Sequence, residues 1–209
     1  MKLQLALDLL DEHQALEVTR KAGRYFDIIE VGTSLLKLSG VGIVQKIRAI
    51  CPDRQVFVDI KIIDGPEREA TLMRSCRADY YSMLACATDT AVAKVLAIAA
   101  LTQAQVVFDL QSVADPIKRC KQLQELGAKY VCVHKNAACG ENLLEGLQEY
   151  TPIHTQTNLA SFVAGGISLD GIAKVRDLLQ PEGVIIGSAI LDAVDMVEAA
   201  RNFRLAADA

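Results

Sequence analysis

Asp59-Ile60-Lys61-Ile62-Ile63-Asp64 sets an ammonium between two carboxylates. Such a group can hold a hard cation, fix the charge state of the lysine and stabilise an anion that forms on a substrate. Asp59 and Lys61 are two apart, so on a strand they share a face, and Asp64 falls in the loop that follows. A charged surface turn would have the same composition. The apolar run QVFV that leads into the motif favours the site reading, because it brings charge to the end of a buried strand. Glu30 closes another apolar run, DIIEV. Two carboxylates on neighbouring strand ends suit Mg²⁺, which uses one or two carboxylates and keeps positions open for water and substrate. Taken alone, Glu30 is as compatible with a buried structural carboxylate. Beside Asp59 the metal reading is favoured.

Other strand ends are polar as well. Asp8 follows LQLAL and could bond a substrate hydroxyl or orient Lys61, and Asp109 at the end of QVVFD has a similar but weaker case. His134 ends KYVCV and could act as a general acid or base near neutral pH, although a lone histidine is more often structural. His13 and His154 read as surface residues. Two glycine loops, AGGIS at 164–168 and GSAI at 187–190, form a second constellation. Glycine lets backbone amides come close to phosphate oxygens, so Gly166, Gly187 and Ser188 are candidate phosphate-binding residues. No Lys or Arg lies within these loops, which leaves the amides and a helix dipole to hold the anion.

Eight short β-rich runs must position these groups: 3–7, 27–31, 55–60, 79–84, 105–110, 129–133, 161–164 and 183–186. Several are almost continuously apolar, as expected of parallel strands buried on both faces. Helical patterns lie between them. HQALEVTRKAGRY carries apolar residues at helical spacing. SVADPIKRCKQLQELGA has a cap at Asp115, Pro116 in the first turn and a stop at Gly127, and SLDGIAKVRDLLQPEG starts at a Ser168 cap. Eight βα units without a linker predict one α/β domain over residues 1–209, a (β/α)8 TIM barrel with its site at the carboxyl ends of the strands. A doubly wound open sheet has fewer strands at this length. It would also place a glycine-rich loop after strand 1, where this chain has LDLLDE.

The net charge of −4, the lack of a basic patch and the absence of Trp argue against a nucleic-acid partner. The first apolar run is short and broken by Asp8, so it is no signal peptide, and no run approaches the roughly 18 residues of a membrane helix. The six cysteines lack metal-binding spacing and read as small core residues of a reduced, cytoplasmic protein.

LQLALD, DIIEVGT, the D-x-K-x-x-D-G motif, the VH at 133–134, VAGGIS and VIIGSAI occur in order along the whole chain. This pattern resembles the orotidine 5′-monophosphate decarboxylase superfamily. Within it, the likeness is to the branch of 3-hexulose-6-phosphate synthase and 3-keto-L-gulonate-6-phosphate decarboxylase. The resemblance implies Mg²⁺-assisted chemistry on a small phosphorylated sugar through a 1,2-enediolate. In the synthase, D-ribulose 5-phosphate is condensed with formaldehyde. It further implies that Glu30 and Asp59 bind Mg²⁺, Lys61 stabilises the enediolate and His134 shuttles protons. Asp64 would reach the partner's site in a homodimer with active sites at the interface. The decarboxylase tends to carry an Arg shortly after the strand-6 His and another after the strand-8 Gly. This chain has Lys135-Asn136-Ala137 and Ser188 there, so the synthase is the better match. It departs from the synthase pattern at Lys135, Asn136 and Pro66. The decarboxylase is the second reading, and a non-catalytic sugar-phosphate-binding barrel the third.

Overall fold

The computed structural model describes residues 1–136, 139–141, 143 and 145–209. Eight strands, β1 Lys2–Leu7, β2 Ile28–Val31, β3 Gln55–Ile62, β4 Tyr80–Leu84, β5 Gln105–Asp109, β6 Tyr130–His134, β7 Ala160–Ala164 and β8 Gly183–Ile186, pair in that order. All neighbours are parallel, and β8 returns to β1, closing the barrel. The predicted (β/α)8 fold is therefore the observed one, with strand ends displaced by a residue or two. β3 differs most. It continues to Ile62, and its register against β4 shifts between Val58 and Ile62, a bulge within the charged motif.

Local chemistry sets the helices. Asp11 caps α1 (Glu12–Ala22) by accepting from Gln14 N, and Thr88 caps α5 (Asp89–Ala99) through Ala91 N. Between them lie α2 (Thr33–Ser39), α3 (Gly42–Ile50) and α4 (Pro66–Cys76), the last opening on a proline that has no amide to leave unpaired. α6 (Pro116–Glu125) starts as expected, with Asp115 accepting from Lys118 N, and Gly127 terminates it at a φ of +94°. α7 (Pro152–Gln156) is short. α8 (Ile172–Leu179), α9 (Ser188–Leu191) and α10 (Met196–Asp208) complete the ring. Ser168 is not the cap of α8. That helix begins at Ile172, and Ser168 Oγ instead accepts from Gly171 N in the preceding turn, at 3.2 Å.

Strand alternation sorts the core into two bodies. Outward residues such as Val56, Val58, Tyr81 and Val163 pack under the helices. Inward residues Ile28, Phe57, Tyr80, Val107, Cys132 and Phe162 fill the barrel. The Tyr80 ring centroid lies 6.3 Å from that of Phe57 and 5.8 Å from that of Phe162, so aromatic rings plug the amino-terminal end. Gly183 makes room for this plug, since a Cβ there would lie 2.9 Å from Phe162 Cε1.

Two expectations need correction. Cys76, Cys120 and Cys132 are buried, but Cys51 is only partly buried, and Cys86 and Cys139 are exposed because they sit on loops. His13 is exposed as predicted, whereas His154 is half-buried and its Nε2 lies 3.1 Å from Ser161 Oγ. Burial lowers the pKa of His154. Among the described residues no helix is long and apolar enough to cross a membrane.

Candidate active site

One step along each strand from the aromatic plug, the inward positions become polar. Glu30 is two residues beyond Ile28, Asp59 two beyond Phe57, Ser82 two beyond Tyr80, Asp109 two beyond Val107 and His134 two beyond Cys132. The period of two thus stacks a chemical layer on a hydrophobic one. These five side chains line a cavity of about 600 Å³ at the carboxyl ends of the strands. Lys61, Asp8, Gly166, Gly187 and Ser188 line it too, so nine of the residues singled out in the sequence, counting Asp109, meet there. Asp64 does not. It is exposed in the loop after β3 and does not line its own chain's cavity.

The centre is a chain of charged contacts. Lys61 Nζ lies 3.1 Å from the Asp59 carboxylate and 2.8 Å from Asp109 Oδ2. Asp109 Oδ2 also meets His134 Nδ1 at 2.8 Å, while its Oδ1 accepts from Gln111 N at 2.9 Å. Burial opposes the Asp109 charge, but the bond from His134 and the charge of Lys61 outweigh it and hold the carboxyl down at about 2. Burial likewise opposes charge on Lys61, and Asp59 and Asp109 reverse that, raising its pKa. Lys61 is therefore a fixed ammonium. Because Asp109 accepts from Nδ1, neutral His134 carries its lone pair on Nε2.

Asp59 and Lys61 converge as predicted, but not by simple alternation. Lys61 has a φ of +52° within the bulge, a left-handed conformation that costs a non-glycine residue about 1 kcal/mol or more. Its backbone N donates to Ser82 Oγ at 2.8 Å. Three residues that were not among the candidate site residues of the sequence hold the carboxylates. Ser82 Oγ donates to Asp59 Oδ1 at 2.7 Å, Thr33 Oγ1 lies 2.6 Å from Asp59 Oδ2, and Gln4 Nε2 donates to Glu30 Oε2 at 2.7 Å. Nothing in local composition marks them, because a serine, threonine or glutamine gains this role only from strands distant in sequence. Asp8 does not hold Lys61. It stands at the rim beside Gly32, where a Cβ would lie 2.2 Å from Asp8 Oδ1.

Glu30 is buried, and its carboxyl is pushed well above the usual range by burial first and then by the charges of Asp59 and Asp8. Asp8 is raised in the same way, by partial desolvation and by Asp59. Among the described residues no three His, Cys, Asp or Glu side chains form a ready-made metal cage. A pair of crowded carboxylates with hard oxygen donors nevertheless fits Mg²⁺, whose charge would offset their repulsion and whose other positions would stay open.

The glycine loops form part of the opposite wall. Gly165 has a φ of +119° and Gly166 of +65°. A Cβ on Gly165 would lie 2.3 Å from Lys135 O, so the loop after β7 packs directly on the chain leaving β6. Lys135 thereby joins the wall beside these glycines, a cation that the loop sequences themselves do not contain. Its Nζ rests 5.6 Å from the Tyr150 ring centroid. Ala137, the last residue of the stretch noted for lacking the decarboxylase's arginine, lies outside the described residues.

The family described as orotidine 5′-phosphate decarboxylase / HUMPS matches residues 1–203. The chain belongs to that family. It is 34% identical to a 3-hexulose-6-phosphate synthase from Staphylococcus haemolyticus (strain JCSC1435), over 98% of this chain and 97% of the relative. The crystal structure of 3-hexulose-6-phosphate synthase from Salmonella typhimurium superposes with a TM-score of 0.92 at 34% identity, covering 99% of this chain and 98% of that one. KGPDC from Streptococcus mutans, solved as a ligand complex, superposes at 0.90 with 23% identity, covering 99% and 97%, and shares the fold. Within the family, the chain is an enzyme of the carbon–carbon lyase type to which its synthase relatives belong. The reading as a non-catalytic barrel is set aside.

Proposed function

We propose that this enzyme condenses formaldehyde with D-ribulose 5-phosphate, giving D-arabino-hex-3-ulose 6-phosphate through a 1,2-enediolate. The observation that carries this reading is the chain Asp59–Lys61–Asp109–His134, a fixed ammonium beside an oriented imidazole. It lies in a cavity that two glycine loops border. Deprotonation beside a carbonyl needs those two groups together, one to take the proton and one to offset the oxyanion.

In this mechanism Gly166, Gly187 and Ser188 receive the phosphate, with Lys135 adding positive charge. Asp8 bonds a sugar hydroxyl at the rim. Glu30 and Asp59 would hold Mg²⁺, which when bound supplies a Lewis acid for the carbonyl and hydroxyl oxygens of the sugar. His134 Nε2 takes the proton from C1 of the ketose, and the electron pair moves into the enediolate, whose charge Lys61 offsets. C1 then attacks the formaldehyde carbon. The π pair of that carbonyl becomes an alkoxide on its oxygen, which takes a proton back from His134, so no proton is gained or lost overall. Asp64 acts in the partner subunit's cavity of a homodimer. Its exposure outside its own chain's cavity supports that role, as do the exposed Leu10, Leu38 and Ile63 on the segments that follow β1, β2 and β3.

The test is formaldehyde consumption by purified, folded protein with D-ribulose 5-phosphate, with Mg²⁺ and with chelator. Consumption that requires the metal is expected, with a loss of several orders of magnitude in Lys61→Ala. No consumption under either condition would discard the synthase reading. Release of CO₂ from 3-keto-L-gulonate 6-phosphate in the same preparation would install the decarboxylase instead.

A further inference from the structure

We infer that Ser82 is a positioning residue of the reaction, the clamp that keeps Lys61 in its left-handed conformation and Asp59 in line with it. Ser82 lies on β4 and is 2% exposed, and its side chain lines the cavity. Its single hydroxyl makes two contacts. The oxygen accepts from Lys61 N at 2.8 Å, and the hydrogen goes to Asp59 Oδ1 at 2.7 Å. That one atom therefore ties together the backbone of the ammonium-bearing residue and the carboxylate beside it.

The bulge explains why a clamp is needed. Ladder pairing between β3 and β4 runs through Val58 with Tyr81 and resumes at Ile62 with Met83. The register shift leaves the backbone N–H of Lys61 outside that ladder, in a strand whose residues Val56–Asp59 and Ile62 are buried. An amide shielded from water on one side needs a partner there, and Ser82 Oγ, itself buried, is that partner. The φ of +52° turns the lysine so that its Nζ reaches both Asp59 and Asp109. Without the hydroxyl, the amide loses its acceptor and Asp59 Oδ1 its donor, and the left-handed turn has less to hold it. The ammonium would then share its time among other positions. Among the described residues, the side-chain hydrogen bonds of Lys61, Asp59 and Ser82 run to one another, to Asp109 and to Thr33, and none runs to Gly166, Gly187 or Ser188.

This rests on the proposed condensation for its kinetic arm but not for its structural one. Ser82→Ala removes one buried atom and leaves the barrel intact. Ser82→Cys fills the same space with a weak hydrogen-bonding group, which separates packing from clamping. By NMR, the Lys61 amide is expected to exchange with solvent at least tenfold faster in both variants, with Val58 unchanged. In turnover, both are expected to lose ten- to a hundredfold in kcat with KM for the sugar phosphate within about twofold. Wild-type protection of the Lys61 amide in Ser82→Ala would overturn the inference whatever the substrate proves to be. So would full turnover in Ser82→Cys, which would reduce Ser82 to a space-filler. A wild-type protein without condensation activity would sink the proposed function alone, because the exchange measurement would still decide for or against the clamp.

Discussion

Asp109 Oδ2 accepts from two nitrogens at once, Lys61 Nζ and His134 Nδ1, both at 2.8 Å. The carboxyl sits at about 2 in the fold against an ordinary 3.8, despite its burial. The unfolded chain therefore binds more protons there than the folded one between those values. The stability from this residue is complete above pH 4 and drains away as the pH falls toward 2. The difference corresponds to about 2 kcal/mol. Urea unfolding at pH 5 and pH 2 should show a drop larger by about that amount in the wild type than in Asp109→Asn. Equal drops in the two proteins would mean that Asp109 has no part in the acid transition. Both Asp109 oxygens accept, whereas an amide offers one acceptor and one donor without charge, so the same substitution weakens the hold that leaves the basic lone pair of His134 on Nε2, and turnover should fall at neutral pH as well.

At the scale of elements, the loops after β6 and β7 lean on each other. Gly165 is irreplaceable on two counts, its φ of +119° and the 2.3 Å approach of Lys135 O to any Cβ placed there. Gly165→Ala should cost about 2 kcal/mol, which in a domain of this size lowers Tm by roughly 4 to 8 °C. It should also raise KM for the sugar phosphate, because Lys135 and Gly166 move with it. An unchanged melting curve would contradict the contact. Much of this was legible beforehand. Eight apolar runs with helical spacers read directly as the barrel, since parallel strands buried on both faces leave that signature. The polar ends of those runs marked Asp8, Glu30, Asp59, Lys61 and His134. Pairing between strands was illegible. The bulge at Lys61 depends on how β3 meets β4, and Ser82, inside the run DYYSML, looks like any strand serine until Asp59 is set beside it. Gln4 and Thr33 were hidden for the same reason. The sequence also placed Asp64 with the charged motif, while in space it leaves the cavity of its own chain.

At the scale of the whole molecule, that departure carries the case for a shared site. If Asp64 serves the partner, Asp64→Ala and Asp59→Ala chains, each inactive alone, should regain part of the wild-type rate when unfolded together and refolded as mixed dimers. No recovery in dimers shown to be mixed would confine each site to one chain. The aromatic plug has a consequence of another kind. Phe57, Tyr80 and Phe162 fill the barrel below the cavity, so among the described residues the well is closed at the amino-terminal end and is reached from the carboxyl ends of the strands. If the proposed condensation takes place there and both reactants enter from that side, they have to queue: the larger reactant would settle first with its reactive end inward, the one-carbon aldehyde would slip in behind it, and the lengthened product would leave before the next sugar arrives. Product should accordingly compete with the sugar phosphate and not with formaldehyde in steady-state inhibition, and competition against both would mean that the queue has no fixed order.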